Sequence, residues 1–150
     1  MQHVKIAKII KSISTDLETE INYLLKKVDL TLSQGLVLFY LKETDTKNFV
    51  PIKNIEKEFG IAQSTSFGII TRLEKKDFVE TSVQNNIKLI KITEQGLNLA
   101  HYLIPCLKKA EYAIFADFTE GEKILFLELL QRAEANLSDS MISTGDNNEQ

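Results

Sequence analysis

Residues 59–96 read FGIAQSTSFGIITRLEKKDFVETSVQNNIKLIKITEQG, and the fold is decided there. Gly60 follows a short helical stretch, in the position that favours a left-handed residue. A helix is expected from about Gln63 to Lys76, with Asp77 as its stop. Phe78–Val83 then alternates weakly, and Ile87–Ile92 is apolar and β-branched. Gln84-Asn85-Asn86 between them suits a tight turn, because Asn tolerates positive φ. Two helices joined at a glycine and followed by a two-stranded hairpin make a helix-turn-helix with a wing, a winged helix.

Working outward, Pro51 suits the first turn of a short helix over Ile52–Phe59, where its missing N–H is not needed. The polar stretch Glu43–Asn48 reads as a loop. Before it, Thr31-Leu32-Ser33-Gln34 is a capping box that opens a helix through Leu36, Val37, Phe39, Tyr40 and Leu41. From Val4 to Val28 apolar residues recur every three or four positions, as in an amphipathic helix of about 37 Å. Downstream, Thr93 caps a helix from Glu94 to about Phe115, and Pro105 should kink it. Thr119-Glu120-Gly121-Glu122 is a second capping box, opening a last helix through Ile124, Leu125, Leu127, Leu129, Leu130 and Ala133. The tail from Ser138 to Gln150 is small, polar and acidic, the composition of a disordered segment.

The expected fold is mostly α with a small β-hairpin wing: a winged helix-turn-helix over 31–96, flanked by a helical dimerisation region at 1–30 and 97–137, with a disordered tail over 138–150. The flanking helices exceed what so small a winged domain can bury, and a homodimer interface is the simplest use for them.

Composition fits this plan. The chain has 150 residues, 43% hydrophobic and 26% charged, enough for a real core. The formal net charge is -3, and residues 97–150 hold nine acidic against four basic residues, so nucleic acid would meet the middle of the chain. The lone cysteine, Cys106, builds no disulfide framework, and Cys106, His3 and His101 form no zinc pattern. No apolar run reaches the ~20 residues that span a bilayer, and the first residues lack the apolar core of a signal peptide, so a reducing cytoplasm is expected. There is no glycine-rich phosphate loop, no metal-ligand spacing and no nucleophile beside a histidine, so neither a catalytic set nor a cofactor or metal site is expected.

Four stretches resemble the MarR family of bacterial regulators. Leu30-Thr31-Leu32-Ser33-Gln34 is similar to the opening of that family's second helix, and Phe59 to Thr65 to its turn into the recognition helix. Arg72 to Val79 is similar to "RLEKKGLV", and Ile90 to Gly96 to the end of the wing, "VxLTEKG". With the helix layout, the resemblance covers about residues 4–136. It implies a dimeric DNA-binding transcription regulator, typically a repressor relieved by a small ligand or a stress signal. Departures from the pattern are specific. Phe67-Gly68 stands where the family has a small polar residue and an arginine. Gln84-Asn85-Asn86 stands where it has Asp-x-Arg, and Ala62 replaces a helix-capping Ser.

On this reading Gln63, Ser64, Thr65 and Ser66 contact base edges and phosphates from the start of the recognition helix, and Phe67 contacts a thymine methyl. Lys53, Arg72 and Lys88 meet phosphates, with Lys75, Lys76 and Lys91 as further candidates. The competing reading makes the lysines a solvated face and packs Phe67 into the core. Tyr23, Tyr40, His101 and Tyr102 are candidates for a cleft that takes a small aromatic or anionic ligand, as the resemblance implies. The alternative for them is core packing. Expected partners are double-stranded operator DNA and a second copy of the chain, with no membrane. A second functional reading follows from the departures: a protein–protein adaptor or antagonist of the same fold with little DNA affinity.

Overall fold

The computed structural model describes residues 2–145, and side chains over 4–140. The elements are α1 (Gln2–Lys26), α2 (Leu32–Thr44), β1 (Val50–Pro51), α3 (Ile52–Phe59), α4 (Gln63–Lys75), β2 (Val79–Gln84), β3 (Ile87–Ile92), α5 (Glu94–Ile114) and α6 (Glu120–Gly145). They fall into two compact units, residues 1–111 and 112–150.

The first unit holds the winged helix. The expected helix starts are made by their caps. The Thr31 hydroxyl accepts from the Gln34 N–H at 3.3 Å, and the Gln34 side chain accepts from the Thr31 N–H at 3.3 Å. Thr93 Oγ1 accepts from the Gly96 N–H at 3.1 Å. Gly60 ends α3 at φ 59°, and Asp77 ends α4 at φ 60°, both left-handed. Asn85 and Asn86 turn the wing at φ 51° and 62°, the two positive values that a type I′ hairpin turn requires.

The sheet has three antiparallel strands, β1-β3-β2, where two were expected. Val50 pairs with Ile90 and Pro51 with Leu89. A two-residue strand leaves no alternation to read, and Pro51, which the sequence presents as a helix start, serves both elements.

The core is contiguous from α1 to α5. Leu38, Leu41, Ile55, Leu73 and Ile90 are fully buried, each contributing about 1.5–3 kcal/mol of hydrophobic stabilisation. Ile21 and Leu25 of α1 and Leu103 and Ala110 of α5 belong to the same core. The helices flanking residues 31–96 thus complete the winged helix at one end. At the other end α1 turns Val4, Ile6, Ile9, Ile10 and Ile13 to solvent. The α5 helix runs through Pro105.

In the second unit the Thr119–Glu122 capping box is formed, with backbone-to-side-chain distances of 2.8 and 3.2 Å. Phe115, Phe118 and Phe126 meet edge to face, with ring centroids 5.4–5.9 Å apart. The helix continues through residues 138–145, where a disordered tail was expected, and the rest of that expectation lies outside the described residues.

Candidate nucleic-acid interface

Helix α4 has one inward and one outward face. Ser66, Ile69, Ile70 and Leu73 are buried, while Gln63, Ser64, Thr65, Thr71, Arg72 and Lys75 are exposed. The inward residues recur at intervals of three and four, so packing against α2, α3 and the sheet fixes the rotation of the helix. The α3–α4 turn is closed by Gly60 and by the Ile61 N–H, which donates to the Glu56 carbonyl at 3.1 Å. Ala62 occupies the N-cap with no side-chain hydrogen bond, which leaves donors at the start of α4 open to outside acceptors. Lys53 is exposed on α3 and extends the same polar surface.

Two of the residues expected on this surface are turned inward. Ser66 is completely buried. Its hydroxyl lies 2.9 Å from Glu56 Oε1 and 2.8 Å from the Gln63 carbonyl, so it ties α4 to α3 and is not available to a base edge. Phe67 is half-buried against the core. Lys88 Nζ stands 3.8 Å from the centroid of its ring, so the wing lysine is held over the aromatic face in a cation–π contact. Phe67 therefore belongs to the seam between α4 and the wing and does not stand out from the helix toward a thymine methyl. The Thr81 hydroxyl donates to the Glu74 carboxylate on the same seam.

The expected phosphate ligands divide by their partners. Lys53, Arg72 and Lys75 are exposed and enter none of the ion pairs found among the described residues. Lys76 is 3.1 Å from the Asp29 carboxylate and also donates to the Asp29 carbonyl. Lys91 is 3.9 Å from Glu80. The wing tip itself is neutral, with Val83 64% and Ile87 51% exposed around the Asn85-Asn86 turn.

Three of the four ligand candidates are exposed. Tyr23 is 66% and Tyr102 61% exposed, and His101 is also exposed. Tyr40 meets Phe59 edge to face at 5.9 Å. None of the four lines the cavity of about 680 Å³ in the first unit, which is walled by Asn22, Lys26, Thr31, Ser33, Arg72 and Lys76 among others. Cys106 is half-buried, with Sγ 3.8 Å from the Tyr102 carbonyl oxygen. Among the described residues no His, Cys, Asp or Glu side chains cluster in a way that could hold a metal ion, and no helix is long and apolar enough to cross a membrane.

Glu56, Glu74 and Thr71 were not anticipated. Thr71 follows Ser64 by two helical turns, so the phase of α4 places it on the exposed face. The carboxylate partners of Ser66 and Thr81, Glu56 and Glu74, lie on other elements and leave no local signal.

No family model matches the chain. A curated relative, the uncharacterized HTH-type transcriptional regulator YwaE of Bacillus subtilis, is 28% identical over 88 residues. The match takes in 57% of this chain and about half, 52%, of that protein. Among solved structures, MarR superposes with a TM-score of 0.75 at 19% identity, covering 89% of this chain and 91% of that one. The S. aureus MepR–DNA complex gives 0.72 at 21%, covering 91% and 96%. Bordetella bronchiseptica BpsR, described with regulation of its DNA binding by 6-hydroxynicotinic acid, gives 0.75 at 19%, covering 85% and 93%. The chain has the winged-helix fold of the MarR-family transcriptional regulators.

Proposed function

We propose that this protein is a cytoplasmic transcription regulator that grips operator DNA as a homodimer. The observation that carries the reading is the outward face of α4. Gln63, Ser64 and Thr65 stand free at the start of the second helix of a helix-turn-helix, beside a three-stranded wing. The first turn of such a helix is the part that enters the major groove, where hydroxyls and an amide bond base edges. Arg72, Lys53 and Lys75 supply the backbone contacts.

Dimerisation is supported by exposed apolar surface on two helices, along one face of α1 and all round α6. The α1 helix exposes Val4, Ile6, Ile9, Ile10 and Ile13, and α6 separately exposes Ile124, Leu125, Leu127, Leu129, Leu130 and Leu137. Burial of these surfaces in a second copy would give an interface above ~2,000 Å², the range of obligate dimers. The matching operator has two half-sites about 34–36 Å apart. Control by a small anion is supported by the BpsR precedent, in which 6-hydroxynicotinic acid regulates DNA binding, and relief of repression is the sign proposed here. The ~680 Å³ cavity sets Lys26, Arg72 and Lys76 beside Glu18 and Asp29, and Lys76 is paired with Asp29, so Lys26 and Arg72 are the cations it offers such a ligand, as an alternative to Tyr23, Tyr40, His101 and Tyr102.

One observation favours the adaptor reading: the wing tip is neutral, and the cation nearest to it, Lys88, is engaged on Phe67. A gel-shift titration with the DNA upstream of the chain's own gene separates the two. A discrete, competitor-resistant complex is expected. Failure to shift any duplex at low salt would give the adaptor reading instead.

A further inference from the structure

Gly68 occupies the middle of the outward face of α4. Ser64 and Thr65 lie one turn before it and Thr71 and Arg72 one turn after, all exposed, while Ser66 and Leu73 point to the opposite side and are buried. A glycine inside a helix lowers helix propensity, so its place there needs a reason. The neighbour one turn on is a guanidinium. A Cβ built on Gly68 would just touch Arg72 Nη1, at 3.4 Å, so a methyl group fits there and a longer side chain competes for the place. Long helical side chains lean toward the N-terminus, and here the Arg72 side chain leans back far enough to lay its guanidinium over the bare backbone of Gly68. That guanidinium enters no ion pair among the described residues.

We propose that Gly68 and Arg72 work as one unit, in which the glycine vacates the centre of the DNA-facing surface so that Arg72 presents its charge there to a backbone phosphate. The proposal rests on the DNA-binding reading above. It converts a departure from the family pattern into a displacement: the sequence carries no arginine at residue 68, yet the charge arrives at that place from residue 72. A guanidinium is suited to this, because its planar fork meets two phosphate oxygens at once.

The test is a salt titration of the dimer on one operator duplex, reading the slope of log K against log salt. Each phosphate contact contributes about 0.9 to that slope, so a contact from both subunits contributes about 1.8. Arg72→Gln is expected to lower the slope by about 1.8. Gly68→Leu fills the space that the guanidinium uses and is expected to lower it by a similar amount, although no charge is removed. The double variant should lose no more than either single one. Thr71→Leu, adding bulk to the same face without blocking Arg72, should leave the slope unchanged. Leucine favours a helix over glycine, so Gly68→Leu folds at least as well, and a melting curve verifies this. Additive losses, or an unchanged slope in Gly68→Leu, overturn the pairing while leaving the DNA-binding reading intact. A parent protein that binds no duplex overturns both.

Discussion

A methyl group on Gly96 would stand 2.0 Å from the carbonyl oxygen of Phe78, inside the contact distance of any two such atoms. That carbonyl also accepts from the Thr93 N–H at 3.1 Å, so neither side of the contact is free to retreat. Gly96→Ala is therefore expected to destabilise the protein by about 1–3 kcal/mol, read as a lower denaturation midpoint with the slope unchanged. The family-like stretch ending in Gly96 marked the position, but only the approach of two backbones explains it, and sequence does not record that distance. Ser66 teaches the reverse lesson. It lies three, four and seven residues before Ile69, Ile70 and Leu73, so the apolar stripe places it inward, although a hydroxyl at a helix start is also suited to base edges. Ser66→Ala is expected to cost about 1–3 kcal/mol, because the half-buried Glu56 carboxylate loses its donor. Base preference in a DNA selection should stay as it was, since the hydroxyl never reaches the surface. Asp45 carries a pH dependence. The Asn48 side chain, followed by the backbone N–H groups of Lys47 and Asn48, holds its carboxyl below the usual value. The folded pKa is thus lower than the unfolded one, so the extra stability is complete above the ordinary carboxylate range and disappears as pH falls through the lowered value. Amide exchange at Lys47 and Asn48 should quicken over that acid range, and Asp45→Asn should remove the dependence.

At the scale of elements, helix starts were legible and their tertiary companions were not. Thr31–Gln34, Thr93 and Thr119–Glu122 cap their helices through bonds that span at most three residues, so the signal is local. Gly60, Asp77 and the Asn85-Asn86 turn are legible for the same reason: left-handed backbone restricts which residues can stand there. The strand β1 was hidden because its partner, β3, lies about forty residues away in sequence and its own two residues carry no period. The candidate interface divides in the same way. Gln63, Ser64, Thr65 and Arg72 could be placed by helical phase, whereas the capture of Lys88 by Phe67 joins two elements and appears only in three dimensions.

For the whole molecule, the exposed apolar surfaces of α1 and α6 make assembly the main expectation. If a second copy covers them, folding and association are one equilibrium, and the melting midpoint should rise with protein concentration. Ile9→Glu in α1 or Leu129→Glu in α6 should lower the mass seen by light scattering from dimer to monomer, and a wild-type protein monomeric at micromolar concentration would overturn the dimer. The sheet, by contrast, is closed to growth at one of its two edges. Its β1 edge is two residues long, ends in a residue with no N–H to donate, and passes at once into α3. A passing chain that tried to add itself there would find almost no ladder to continue, which confines the cross-strand route to aggregation to the opposite, six-residue β2 edge.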